Sequence, residues 1–168
     1  GLSEEARFRR FLHPIKRLGD AELHHLTYLD HDDAEALIAL DGDRIVGVAR
    51  YFRVPERPLA AEVAVAVADA WQHRGVGTLL LRRLVVLAKR HGVELFVATC
   101  LAANADMLLL LRELDGGIHR IGGGQGTVEV EVRLPADPEP GCPLELIPPR
   151  TTHVLHPPAV VRAEQTMG

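Results

Sequence analysis

The sequence predicts one α/β domain built on a mixed, mostly antiparallel sheet. Segments with strand and helix patterns follow each other in the order hairpin, strand, helix, strand, helix, hairpin. The two strands that flank the first long helix are expected to run parallel, because a helical crossover returns the chain to the same end of the sheet. A chain of 168 residues is long enough for one full hydrophobic core and hardly long enough for two.

The composition is that of an ordinary soluble globular protein, with 47% hydrophobic and 25% charged residues. A net charge of −4 argues against a protein that binds nucleic acids by neutralising their phosphates. No apolar run approaches the roughly 18 residues of a membrane span, and the first residues lack the pattern of a secretory signal. Cys100 and Cys142 do not form a disulfide framework, so we expect a cytoplasmic protein.

Two short helices are predicted before the first strand. Ser3 followed by two acidic residues is typical of a helix start, and Pro14 ends this helix after about residue 12. Asp20 is expected to cap a second helix over residues 21–29, in which leucines are available for one apolar face.

A hairpin and a central strand come next. Residues 35–40 and 44–54 are apolar runs joined by an Asp-Gly-Asp turn, and Asp-Gly between two such runs is a strong hairpin signal. A loop is predicted over residues 55–58, which begin and end with proline. The β-branched run at residues 62–67 then predicts the central strand.

The second half of the domain alternates helix and strand before a final hairpin. A leucine-rich amphipathic helix is predicted over residues 78–91, where Gly92 ends it, and a strand over residues 94–101. Asn104 is expected to cap a helix over residues 105–114. The last hairpin pairs residues 118–121 with 127–134, joined by a glycine-rich loop over residues 122–126 that either borders a binding cleft or is merely flexible.

The character of the chain changes at Pro135. Prolines recur from there to residue 158 and are incompatible with a regular helix or a central strand. We therefore expect a domain over residues 1–134 and a proline-rich extended tail over residues 135–168.

The turn between the central strand and the long helix carries the strongest functional signal. Its residues are Gln72-His73-Arg74-Gly75-Val76-Gly77. A strand that passes through such a turn into a helix gathers free backbone amides at the positive end of the helix dipole, which favours a phosphate. Gly75 and Gly77 let an anion approach the main chain closely. A Rossmann fingerprint needs a small residue at Leu80, and a Walker loop needs Gly-Lys-Ser/Thr, so neither pattern fits.

This turn, its flanking elements and Asn104 resemble the acetyl-CoA pyrophosphate loop of the GNAT superfamily of N-acetyltransferases. Further stretches resemble, more narrowly, the catalytic domain of bacterial protein lysine acetyltransferases of the Pat type. These stretches are Phe8-Arg9-Arg10-Phe11, Gly47-Val48-Ala49-Arg50-Tyr51, Ala61-Glu62-Val63-Ala64 and Val67-Ala68-Asp69-Ala70-Trp71-Gln72. The resemblance covers about residues 2–134 and implies a mixed sheet with a splayed parallel strand pair, flanked by helices.

The resemblance implies that acetyl-CoA is a substrate of the protein. It also implies that the backbone of the central strand binds the pantetheine arm, while the amides of residues 74–78 hold the diphosphate. The cofactor-binding residues expected on this basis are Val65, Ala66, Val67, Gln72, His73, Arg74, Gly75, Val76, Gly77, Thr78 and Asn104. Asn104 is equally well explained as a helix cap alone. For the side chains of residues 72–74 the alternative is that they are solvated loop residues.

Glu62 is the candidate general base. A lysine amine is almost entirely protonated at pH 7, because its pKa lies near ~10.4, and a base must remove that proton before the amine attacks a thioester. We expect the apolar neighbours of Glu62 to bury it. The alternative is a solvent-facing glutamate or an ion-pair partner.

Two features depart from the superfamily pattern. Relatives usually begin with a strand before the first helix, whereas the sequence here begins at the predicted helix and this first strand is apparently missing. Either the strand lies outside this sequence, or the edge strand is supplied in another way. Many relatives also carry a tyrosine proton donor in the helix after Asn104, whereas residues 105–114 contain none. A tyrosine general acid is therefore not predicted.

The predicted function is transfer of an acetyl group from acetyl-CoA to a primary amine by direct attack in a ternary complex. The resemblance favours a lysine of a partner protein as acceptor, and targets in that family include acyl-CoA synthetases. Two alternatives remain: a small-molecule amine N-acetyltransferase and a non-catalytic CoA-binding regulatory module. No metal is predicted, because the adjacent His24 and His25 match no zinc spacing and point about 100° apart on a helix.

Overall fold

A computed structural model describes residues 29–114, 117–136 and 159–162 of the chain. The strands are β1 (Ala34–Asp41), β2 (Arg44–Val54), β3 (Arg57–Val67), β4 (Leu95–Leu101), β5 (Ile118–Gly122), β6 (Thr127–Arg133) and β7 (Ala159–Arg162). The helices are α1 (Val76–Arg90) and α2 (Ala105–Arg112), preceded by a 3₁₀ turn (Asp69–Trp71). The helices predicted over residues 3–12 and 21–29 lie outside the described residues, apart from Leu29.

The described strands form one mixed sheet in the order β5-β6-β4-β3-β2-β1-β7. Within the part that was predicted, β3 and β4 run parallel and the other neighbours run antiparallel. The fold class expected from the order of elements is therefore confirmed. Neither described helix is long and apolar enough to cross a bilayer.

The chain enters β3 earlier than the sequence indicates. The loop predicted over residues 55–58 is a turn of only two residues, 55–56, because β3 begins at Arg57 and pairs there with Val54. A shift of register between Arg53 and Val54 places an irregularity opposite Pro58, which has no backbone donor. The carbonyl oxygen of Pro58 in turn accepts a hydrogen bond from the Arg53 guanidinium.

Strands β3 and β4 stay together over only a short distance. They pair at Ala60–Leu95, Ala61–Phe96 and Glu62–Val97, and beyond these residues each strand continues without pairing to the other. Strand β3 runs on to Val67 and β4 to Leu101. The parallel pair is therefore splayed, and the gap opens at Glu62.

Helix α1 packs across β1, β2 and β3 with a leucine-rich face. Leu80, Leu81 and Leu84 are fully buried, and burial of each such side chain contributes about 1.5–3 kcal/mol relative to exposure. Gly47 of β2 lets the helix approach, because a Cβ there would lie 2.9 Å from Leu80 Cδ1. This contact fixes the start of α1 over the end of β3.

The edge of the sheet at β1 carries a strand from the predicted tail. Residues of β7 run parallel to β1, with Leu37 opposite Ala159 and Leu40 opposite Arg162. The tail is thus extended at this position and supplies an edge strand to the sheet. The division of the chain at residue 134 stays a prediction.

Candidate active site

A cavity of about 680 Å³ opens where β3 and β4 separate. Its walls come from the second half of β3, the 72–77 turn, the start of α1, the end of β4 and one side of α2. The cavity lies at the carboxyl ends of both parallel strands, so it joins the two features that the sequence singles out, Glu62 and the glycine-rich turn.

All the predicted site residues except Arg74 and Val76 line this cavity. Val76 is the first residue of α1 and its side chain is buried in the core. The Arg74 guanidinium lies over the Trp71 ring, 4.4 Å from the ring centroid, and donates to the Ala70 carbonyl oxygen at 3.5 Å. The side chains of Arg74 and Val76 therefore do not line the cavity in this structure, and a binding role for these two residues stays a prediction.

The 72–77 turn presents unpaired amides of a helix start. Gly75 is the N-cap of α1, with φ of +79°, a conformation that glycine adopts without a Cβ penalty. The first helical hydrogen bond runs from Leu79 N to Gly75 O at 2.9 Å, and no side chain caps the helix. The amides of Val76, Gly77 and Thr78 therefore lack helical acceptors and point out of the positive end of α1.

The backbone of β3 offers further donors on its open edge. Ala68 N donates to Val46 O on the β2 side, whereas Leu59 O accepts from Glu94 N on the β4 side. Hydrogen-bonding directions alternate along a strand, so Val65 and Val67 also face β4, where no described strand pairs with them. Their amides consequently face the cavity, while the backbone of Ala66 faces β2.

Glu62 lies at the point where the strands separate. Its neighbours Ala61 and Val63 are buried in the core, and side chains alternate across a sheet, so Glu62 points to the opposite face. The side chain is exposed. The expected burial of Glu62 is therefore wrong, because its apolar neighbours in sequence lie on the other side of the sheet.

Gln72 and Asn104, two polar side chains of the site, have partners within the protein. Gln72 Nε2 donates to Val67 O and Asp69 Oδ1, both at 3.2 Å. Asn104 Oδ1 accepts from Met107 N at 3.2 Å, which is the helix cap that the sequence predicts for α2. This cap uses the oxygen of the Asn104 amide and leaves its Nδ2 donor for other contacts.

Several lining residues were missed from the sequence. Helix α2 and its C-cap contribute Asp106, Met107, Leu109, Leu110 and Glu113, and β4 contributes Thr99 and Cys100. The spacing of three to four residues along α2 marks one helix face, which was the available signal. Cys100 also belongs to the buried core, as predicted, and burial raises the pKa of its thiol. The thiol therefore stays protonated near neutral pH.

Comparison with known proteins decides the family. Residues 4–115 match the model of the acetyltransferase (GNAT) family. The chain belongs to the GNAT family. This membership confirms the enzyme class that the resemblance implies, an acetyl-CoA-dependent N-acetyltransferase domain, and with it acetyl-CoA as the acetyl donor.

Three relatives place the GNAT domain more narrowly. The chain is 36% identical over 110 residues to Acetyltransferase PA5475 of Pseudomonas aeruginosa, covering 63% of this chain and 59% of that protein. It is 31% identical over 136 residues to Acetyltransferase Pat of Mycolicibacterium smegmatis, covering 80% and 40%. The solved GNAT domain of S. lividans PAT superposes with a TM-score of 0.71 at 31% identity, covering 79% of both chains.

These comparisons confirm that the chain contains a GNAT, Pat-like catalytic domain. The chain spans less than two thirds of the length of both curated relatives. The observed site fits acetyl-CoA, because open amides at the start of α1 suit a diphosphate, and the exposed edge of β3 suits the amide groups of a pantetheine arm.

Proposed function

We propose that this domain transfers the acetyl group of acetyl-CoA to the lysine side chain of a protein. The carrying observation is the separation of β3 and β4 at Glu62, which puts a carboxylate and the amides of the 72–77 turn into one cavity. The lysine acceptor is supported by the similarity to Acetyltransferase Pat, which extends over 80% of this chain. The acceptor protein is expected to be an enzyme such as an acyl-CoA synthetase.

Glu62 is the proposed general base. It takes a proton from the acceptor ammonium, directly or through a water, and the neutral amine then attacks the thioester carbonyl. The exposure of Glu62 serves this role, because a lysine on the surface of a large protein reaches an open carboxylate more easily than a buried one.

The edge of β3 is proposed to stabilise the charge that develops in this attack. The amides of Val65 and Val67 face the cavity and are fixed by the pairing of β3 with β2. Fixed amides aimed at a developing oxyanion lower the barrier without reorganisation. The C–S bond of the thioester breaks as the C–N bond forms, the acetyl group stays on the amine, and the CoA sulfur leaves as a thiolate. The proton that the attacking nitrogen loses on becoming an amide passes to this thiolate. Tyrosine is absent from the described residues that line the cavity, so a tyrosine donor is not part of the proposal.

Incubation of the protein with labelled acetyl-CoA, a cell lysate and a panel of small amines tests the proposal. Label on lysines of proteins supports it. Label confined to a small amine would replace it with a small-molecule N-acetyltransferase, and CoA binding without any transfer would replace it with a regulatory binding module.

The base is tested separately with Glu62→Gln. The variant should bind CoA like the parent protein and lose about 10²–10⁴-fold in turnover, the usual contribution of general base catalysis. Glu56→Gln, an exposed carboxylate in the β2–β3 turn, is the matched control and should leave turnover unchanged. Turnover of Glu62→Gln equal to that of the control would remove Glu62 from the mechanism.

A further inference from the structure

Two carboxylates, Asp106 of α2 and Glu113 at the C-cap of that helix, lie next to the N-terminus of α1. Glu113 Oε2 accepts a hydrogen bond of 3.1 Å from the Thr78 hydroxyl. Asp106 Oδ2 lies 3.9 Å from His73 Nε2. Both acids line the same cavity as the open amides of the 72–77 turn. The protein therefore places two negative charges of its own beside the N-terminus of α1.

These carboxylates and a bound diphosphate are stabilised at the same place, the N-terminus of α1. A negative group is stabilised near the N-terminus of a helix, whether it belongs to a side chain or to a ligand. The Thr78 hydroxyl has one proton to donate, and that proton is directed at Glu113. A diphosphate bound at the first amides of α1 would lie within a few ångströms of the Glu113 carboxylate and would be repelled by it.

The magnitude of this competition is moderate. Thr78 and Glu113 meet at the protein surface. In such a place the repulsion between the Glu113 carboxylate and a phosphate charge about 4 Å away is small, and it corresponds to about a fivefold change in affinity. Exposed contacts of this kind contribute little to stability, so a ligand displaces them at low cost. A carboxylate placed in this way weakens cofactor binding without blocking it.

We propose that Glu113 sets the affinity for acetyl-CoA by competing with its diphosphate for the Thr78 hydroxyl and the start of α1, with Asp106 as a weaker second competitor. The inference rests on the proposed cofactor site and deepens it. As a consequence, the protein binds acetyl-CoA less tightly than it would with the backbone amides alone. The fraction of protein with bound acetyl-CoA then responds to the acetyl-CoA concentration.

Calorimetric titration of the full chain with CoA tests this inference at low and high salt. Glu113→Gln should bind CoA about three- to tenfold more tightly than the parent at low salt, and the gain should shrink at high salt because the effect is electrostatic. Asp106→Asn should gain less. Glu94→Gln removes a partly exposed carboxylate that pairs with Lys89 at the other end of α1, and this control should bind like the parent.

The outcomes separate this inference from the proposed function. Parent protein that binds CoA while Glu113→Gln binds equally or more weakly would overturn the role of Glu113 and leave the cofactor site intact. A gain that is the same for Glu94→Gln would also overturn it, because net charge alone would explain the result. Failure of the parent and all variants to bind CoA would overturn the proposed function and this inference together. Glu113→Ala removes the acceptor as well as the charge and should gain at least as much as Glu113→Gln.

Discussion

Replacement of Gly77 by alanine separates cofactor binding from folding. Gly77 is the second residue of α1 and lines the cavity. A Cβ at this position would lie 3.5 Å from Leu110 Cδ2 and 3.6 Å from Val67 Cγ2, which are ordinary van der Waals distances. Alanine therefore fits, and it is a better helix former than glycine by up to about 1 kcal/mol. We expect Gly77→Ala to unfold at the same or a higher temperature than the parent.

The added methyl group nevertheless occupies cavity space where a diphosphate approaches the main chain. Loss of one hydrogen bond to a charged group costs about 1.5–3 kcal/mol. This corresponds to a CoA affinity about 10- to 150-fold weaker, because each 1.4 kcal/mol is a factor of ten. Gly77→Glu adds charge repulsion to the steric block and should abolish binding.

Calorimetric titration with CoA measures the affinity, and thermal unfolding of the same samples measures the stability. Gly124→Ala in the β5–β6 loop is the control, since no atom lies within 4 Å of a Cβ built there and the loop does not line the cavity. Unchanged CoA affinity in Gly77→Ala and Gly77→Glu would refute the assignment of the diphosphate to the start of α1.

Two further predictions concern stability. Asn104→Ala removes the acceptor for Met107 N and should lower the free energy of unfolding by about 1 kcal/mol in urea titrations. Asn104→Asp keeps an acceptor oxygen and should keep most of that free energy. Equal losses in the two variants would refute the helix cap. Burial, reinforced by the charge of Glu35, raises the pKa of the Tyr51 hydroxyl above its ordinary value of 10.0. The neutral Tyr51 side chain therefore stabilises the folded state fully below pH 10, and this stabilisation is lost as the pH rises further. Urea unfolding between pH 8 and about 11 should thus show a steeper alkaline loss for the parent than for Tyr51→Phe, and parallel curves would contradict the assignment.

Local patterns in the sequence predict most of the elements. Strict alternation predicts β6, and the structure buries Val128, Val130 and Val132 while the residues between them are more exposed. The Asp-Gly turn predicts the β1–β2 hairpin, and Gly92, with φ of +76°, ends the long helix as expected. These features depend on residues close together in the chain, which is why sequence patterns determine them.

Contacts between distant segments were not predictable in the same way. Asp106 and Glu113 come close to the 72–77 turn and the start of α1 only because α2 packs beside the start of α1. Thr78 and Glu113, which form a hydrogen bond, are 35 residues apart in the sequence. The burial expected for Glu62 was inferred from neighbours that belong to the opposite face of the sheet. The parallel pairing of β7 with β1 likewise joins two segments that are far apart in the sequence, Ala159–Arg162 and Leu37–Leu40. The local composition of these segments contains no signal for the pairing.

The most direct test of the cofactor site is a crystal structure of the protein with bound CoA. We expect diphosphate oxygens within about 2.7–3.2 Å of the amides of the 72–77 turn and of Thr78, and the pantetheine arm along the open edge of β3. A diphosphate bound elsewhere, with the amides at the start of α1 contacting only protein atoms or solvent, would contradict this assignment.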